Sequence, residues 1–142
     1  YSIVSREAFE IYACNKEMDP MEYILQLDGY SYYMMNILDY LVGNTDRHWG
    51  NWGFLIDNRT NQPIRLHPLM DLNQAFHAYD TIDGANCQTV FPQIMTQRQA
   101  AEDAVGHIGL NQVREIDKTW FSGREREFDM LKQRLEVLKE AI

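Results

Sequence analysis

Residues 44–56 read Asn44-Thr45-Asp46-Arg47-His48-Trp49-Gly50-Asn51-Trp52-Gly53-Phe54-Leu55-Ile56, and along them the chain changes from a helical to an extended pattern. Upstream, Tyr30, Tyr33, Met34, Ile37, Leu38 and Leu41 step by three and four, a stripe wide enough to face a core, and Gly43 suits the left-handed position that ends a helix. The helix is expected to begin near residue 20, where Asp19 offers a capping carboxylate, Pro20 fits the first turn and Glu22 can reach back to the cap. Gly29 marks a point where it can break in two. Downstream, the apolar run 52–56, the turn-rich DNRTNQ of 57–62 and the run 63–67 predict strand, turn and strand.

Working outward, residues 72–93 show no sustained period and carry Gly84, Asn86 and Pro92, which predicts a long loop with at most local helix. Helix returns at about 96–106, in a short piece near 111–118, and from about 122 to 141 with Ser122 as the cap. In this last helix Phe128, Leu131, Leu135, Leu138 and Ile142 form the core-facing stripe. The stripe is too short for a partner-binding coiled coil, and the charges between its members predict a solvated opposite face. The fold class is therefore mainly α (α+β), helical with a small β-hairpin.

The bulk properties fit that reading. The chain has 142 residues, 45% hydrophobic and 24% charged, enough to bury a core, and no repeat or linker divides it, so one domain over 1–142 is expected. The net charge of −8 is the wrong sign for holding nucleic acid or anionic lipid directly. Cys14 and Cys87 show no metal or disulfide spacing, no apolar run reaches the roughly 18 residues of a membrane span, and no signal peptide is visible, so a cytoplasmic setting is expected. The first residue is Tyr rather than Met, which predicts a piece of a longer protein.

The loop 44–51 lies between a helix end and a strand, where polar side chains can face a cleft on a rigid frame. Asp46 and Asn51 are five residues apart, and Asp71 follows the second strand of the hairpin that starts at this loop. Two carboxylates and an amide oxygen are hard donors, suited to Mg²⁺ rather than zinc. Protein kinases place an aspartate that positions the substrate hydroxyl five residues before an asparagine on Mg²⁺, with a further magnesium aspartate downstream. The more ordinary alternatives are an Asx-turn for Asp46, a hydrogen-bonded structural role for His48 beside Trp49 or Trp52, and for Arg47 the binding of a carboxylate of the fold rather than of substrate. His67, before Pro68, reads as a satisfied core or edge histidine; His77 and His107 show no partner pattern.

The stretch N-T-D-R-H-W-G-N-W-G-F-L-I-D, followed by H-P-L-M-D ending at Asp71, resembles the catalytic core of HipA-like serine/threonine kinases, and phosphoinositide kinases share a similar D-R-H-x-x-N element. The resemblance is specific over residues 44–71 and topological for the flanking helices. It implies a kinase-like C-terminal lobe in which Asp46 orients or deprotonates the attacking hydroxyl, His48 supports the loop or the transferring phosphate, and Asn51 and Asp71 hold the Mg²⁺ that bridges the phosphates of ATP. It implies a protein substrate with a Ser or Thr hydroxyl, an N-terminal lobe outside this chain, and a small DNA-binding antitoxin as a partner.

The departures are clear. The aspartate precedes Arg-His, where ordinary protein kinases read His-Arg-Asp; Asp71 is followed by Leu72-Asn73 rather than Phe-Gly; and there is no glycine-rich phosphate loop. Lys16, the one lysine before Asp46, sits in a helix-like stretch. The 142 residues alone are therefore expected to be inactive. Two other readings remain: a non-catalytic kinase-like interaction or transcription-regulatory module, and a metallohydrolase using Asp46, His48, His67 and Asp71, which supplies few ligands for a two-metal site.

Overall fold

The computed structural model describes residues 2–45, 47, 48, 50–67, 75, 76, 79–89 and 95–142. Among them the chain forms β1 (Ser2–Ser5), α1 (Arg6–Asn15), α2 (Pro20–Val42), β2 (Gly53–Asp57), β3 (Gln62–Leu66), α3 (Gln97–Ile108), a 3-10 turn (Lys118–Phe121) and α4 (Glu125–Glu140). The class is α+β, as expected. No helix among the described residues is long and apolar enough to cross a membrane.

The ends of α2 follow local chemistry. The Asp19 carboxylate accepts from the N–H groups of Met21 (3.0 Å) and Glu22 (3.2 Å), Pro20 occupies the first turn, and Gly43 closes the helix at φ 66°. A side chain at Gly43 would meet the Tyr79 ring, with Cε1 2.9 Å from its Cβ. The expected break falls at Asp28 rather than Gly29: Asp28 leaves helical geometry (φ −159°, ψ 60°), and its carboxylate accepts from Ser31 N (3.3 Å), recapping the helix, and from Leu66 N (2.9 Å), fastening β3. Tyr30, placed in the sequence stripe, is 55% exposed, because the bend turns the apolar face onto Tyr32, Met35, Ile37 and Tyr40.

The hairpin forms one residue from its expected limits. Phe54 pairs with Leu66, Leu55 with Arg65, Ile56 with Pro63 and Asp57 with Gln62, with an irregularity between Leu55 and Ile56 that lets Pro63 sit in an outer strand. The sequence showed no sign of β1, which pairs antiparallel with β2, Val4 opposite Phe54 and Ser5 opposite Gly53. At Gly53 the strands come so close that a Cβ would strike the Val4 carbonyl oxygen and lie 3.1 Å from Ser5 Cα. Backbone cannot swing aside as a side chain can. Gly53→Ala is accordingly expected to cost roughly 1–3 kcal/mol and to detach β1, read as a lower urea midpoint and fast amide exchange at Val4; an unchanged midpoint would contradict the packing.

Two buried clusters share α2. One joins Phe9, Tyr23, Ile24, Met35, Trp52 and Phe54 under the sheet, with the Phe9 and Phe54 rings stacked at 3.9 Å. The other joins Ile37, Tyr40, Leu41, Ala104, Leu131 and Leu138 between α2, α3 and α4. In α4, Leu131 and Leu138 are buried as expected, but Ile142 lies past the helix end, 78% exposed. Ser122 is not the cap; α4 starts at Glu125 after Arg124, with no side-chain cap bond. The short helix expected near 111–118 lies instead at Lys118–Phe121, because the Asp117 carboxylate accepts from Thr119 N (2.9 Å) and starts the turn there. Those bonds hold the Asp117 carboxyl below its ordinary value. The described part of 72–93 contains no helix or strand, as expected of a loop. It is tied down by Phe76 N to Val42 O (2.7 Å), Tyr40 Oη to Ile82 O (2.6 Å), and Tyr79 Oη to Leu41 O.

Candidate functional site

Helix α2 delivers the chain into the 44–51 loop through Asn44, which is fully buried. Its N–H donates to Asp39 O (2.9 Å) and its Nδ2 to Asp39 Oδ1 (3.2 Å). Asp39 lies in the last turn of α2, 4% exposed, and its carboxylate receives the guanidinium of Arg47 as a fork: Nε to Oδ2 at 2.9 Å and Nη2 to Oδ1 at 3.1 Å. The third corner of the guanidinium, Nη1, donates to Asn51 O at 3.1 Å. Arg47 therefore binds a carboxylate of the fold, as the sequence led us to expect, and the loop is wrapped around a buried charge pair. Burial pushes the Asp39 carboxyl above its ordinary value, while the Arg47 fork and the Asn44 amide oppose that rise.

The residue after Arg47 turns the other way. His48 is exposed; its Nδ1 accepts from Gly50 N (2.9 Å) and its carbonyl accepts from Asn51 N (3.2 Å). An accepting Nδ1 places the imidazole proton on Nε2. A Cβ at Gly50 would lie 2.9 Å from His48 Cε1, so a side chain there would displace the imidazole from this bond. Asn51, 6% exposed, stands just before β2, and the next carbonyl, of Trp52, accepts from Arg6 N (2.9 Å) at the start of α1. At the far end of the hairpin His67 N donates to Gly53 O (2.9 Å), so the chain leaves β3 beside the start of β2 and two residues along from Asn51.

Of the four residues assigned from the sequence, His48 and Asn51 are described: the backbone joins them through Asn51 N to His48 O, while His48 is exposed and Asn51 is buried. Asp46 and Asp71 lie outside the described residues, as do Trp49, the segment 68–74 and His77. No group of three metal-binding His, Cys, Asp or Glu side chains occurs among the described residues, a set that excludes both aspartates. His67 is half-buried at the end of β3, consistent with a structural role. His107, which showed no partner in the sequence, stacks on Tyr33 with centroids 4.4 Å apart and lies 3.7 Å from Asp103.

Sequence reading missed the residues that hold the loop. Asp39 is one; the available signal was an acid one turn from the end of a helix whose neighbours are nearly all apolar, a place where a carboxylate needs a buried partner. Gln88 and Gln97 are the others, and nothing in a single sequence links them to residues 44 and 45. No family model, curated protein or solved structure matches the chain.

Proposed function

We propose that the chain is the C-terminal, catalytic-loop-bearing lobe of an ATP- and Mg²⁺-dependent serine/threonine kinase of the HipA-like type. The observation that carries this reading is the division of labour in Asp-Arg-His-x-x-Asn: Arg47 is buried against Asp39 and fixes the loop, while His48 is exposed and Asn51 is set at the base of β2. Positioning and charge neutralisation make up most of phosphoryl-transfer catalysis, and a loop latched from inside supplies the first without a moving part.

Asn51, Asp46 and Asp71 are hard oxygen donors, and the described one sits on a preorganised turn, so the set suits Mg²⁺. Asn51 and Asp71 would hold the ion, which neutralises charge on the phosphates when bound. Asp46 accepts the proton of the attacking Ser or Thr hydroxyl, and His48 offers an exposed Nε2–H to the loop mouth or to the transferring phosphate. The ATP-clamping groups would come from an N-terminal lobe in a longer protein, since no residue before Asp46 supplies them. A small DNA-binding antitoxin would provide any DNA contact, which the net charge of −8 disfavours for this chain itself.

The test is made in the longer protein with γ-labelled ATP. Asp46→Asn and Asp71→Asn are each expected to cut label incorporation by about a hundredfold or more, and the 142-residue chain alone is expected to transfer none. Undiminished transfer by both variants would refute the kinase assignment. Failure of the longer protein to bind ATP with Mg²⁺ would favour the non-catalytic module.

A further inference from the structure

The two peptide carbonyls on the N-terminal side of Asp46 are each bound by a glutamine amide from elsewhere in the chain. Gln97 Nε2 donates to Asn44 O at 2.6 Å, and Gln88 Nε2 donates to Thr45 O at 3.3 Å. Gln97 is the first residue of α3, just after its cap, Thr96, whose hydroxyl accepts from Gln99 N while Gln99 Oε1 accepts from Thr96 N. That capping box fixes the direction in which the Gln97 side chain leaves the helix.

Gln97 has little freedom. It is 6% exposed, its Oε1 accepts from Ala85 N (3.2 Å), and its own N–H donates to Ala85 O (2.8 Å). Gly84, at φ 71°, lies over it so closely that a Cβ would be 2.6 Å from Oε1. The segment carrying Gln88 is fastened to the same unit by Cys87 N to Met95 O (2.8 Å) and to α2 by Tyr32 Oη to Thr89 O (3.1 Å) and Thr89 Oγ1 to Asn36 Oδ1. The space enclosed between this unit and the loop, lined by Asn36, Asp39, Asn44, Arg47, Thr89 and Gln97, is about 10 Å³, room for one water. The loop thus has no slack on this side.

Resting on the kinase reading above, we propose that Gln97, assisted by Gln88, is a positioning residue for phosphoryl transfer: the amide pair sets the backbone of Asn44 and Thr45, the two residues that precede Asp46 in the chain. Arg47 clamps the loop from the C-terminal side of Asp46 and the glutamines clamp it from the N-terminal side. Both side-chain amides donate to backbone carbonyls, Asn44 O and Thr45 O, so their removal is expected to act on the chemical step rather than on binding.

The test uses Gln97→Met, which keeps the length and removes the donor, and Gln88→Met, which disturbs a half-buried residue and so carries less risk to folding. In the 142-residue chain, amide exchange at Gly50 and Asn51 is expected to quicken about tenfold or more in Gln97→Met while amides inside α2 keep their protection. In the longer protein kcat is expected to fall roughly 10- to 100-fold with KM for MgATP moved by less than about twofold. Unchanged loop exchange in both variants overturns the inference, and so does a fall in activity accompanied by faster exchange throughout α2, the mark of a purely structural role. If the kinase reading itself is wrong, the unsubstituted longer protein transfers no label, and the catalytic half of this inference falls with it. If only the positioning is wrong, the unsubstituted protein transfers label and Gln97→Met does so at the same rate.

Discussion

Between about pH 10 and pH 12 the protein is expected to unfold over a narrow span, with tyrosine ionisation and loss of helix occurring together. Tyr32, Tyr40 and Tyr79 are at most 6% exposed. Burial pushes the Tyr32 phenol up to about 12 and the Tyr40 phenol up to about 12, with the Tyr79 phenol higher still. The buried Arg134 guanidinium, over both the Tyr40 and Tyr79 rings at 4.9 and 4.5 Å, opposes the rise at those two, and bonds to Asn36 and Thr89 oppose it at Tyr32. All three hydroxyls donate to backbone carbonyls, so ionising any of them exchanges a hydrogen bond for repulsion.

These pKa values lie above the unfolded value of 10, so the native state keeps protons that the unfolded chain releases. Their contribution to stability is complete below pH 10 and is lost as pH rises toward 12. For three such groups the loss approaches roughly 4 kcal/mol per pH unit, a large fraction of the stability of an ordinary domain. Ultraviolet absorbance of tyrosinate recorded together with circular dichroism decides the matter. Part of the signal from the eight tyrosines should appear only as ellipticity collapses; complete ionisation with helix intact would contradict the burial described here.

Asp39→Ala is expected to cost about 3–5 kcal/mol, because it leaves the Arg47 guanidinium, 3% exposed, buried without its carboxylate. The loss is greater than that of an ordinary hydrogen bond because the charge stays buried while its compensation is removed. Replacing both partners, Asp39→Leu with Arg47→Met, is expected to recover most of the deficit, since desolvation of the two charges then disappears along with their attraction. The loop would still lose its latch, so stability and loop order separate in the double variant. Denaturant midpoints of the two single and the double variants check this; a cost below about 1 kcal/mol for Asp39→Ala would mean that the pair is far better solvated than its burial indicates.

What could be read from the sequence was what is decided locally. Asp19-Pro20 and Gly43 bracket α2 because helix ends are governed by the few residues around them, and the hairpin was legible because DNRTNQ separates two apolar runs. Strand β1 escaped because Ser-Ile-Val-Ser carries no period and finds its partner about fifty residues on. Ser122 is not the cap because three residues, Ser122, Gly123 and Arg124, separate the 3-10 turn from α4, and Tyr30 leaves the stripe because the bend at Asp28 re-aims it. At the site, the inward role of Arg47 was legible as the more ordinary alternative to substrate binding, a guanidinium holding a carboxylate of the fold. Which carboxylate was not, since Asp39 lies inside a helix that reads as a core element, and the clamp by Gln88 and Gln97 depends on tertiary placement alone.

The two hydrophobic clusters meet on one helix, around Tyr33 of α2, and the 44–51 loop follows the end of that helix. Arg6 at the start of α1 steadies it through Trp52 on one side, and Gln97 at the start of α3 steadies it through Asn44 on the other. Arg134, from the middle of α4, holds the carbonyl of Tyr40 at 2.5 Å, just upstream of the turn into the loop. The loop therefore registers the condition of the whole molecule. A substitution in α1 reaches its end through Trp52, and one in α4 reaches its entry through Tyr40 of α2, so distance along the chain is a poor measure of what can disturb it.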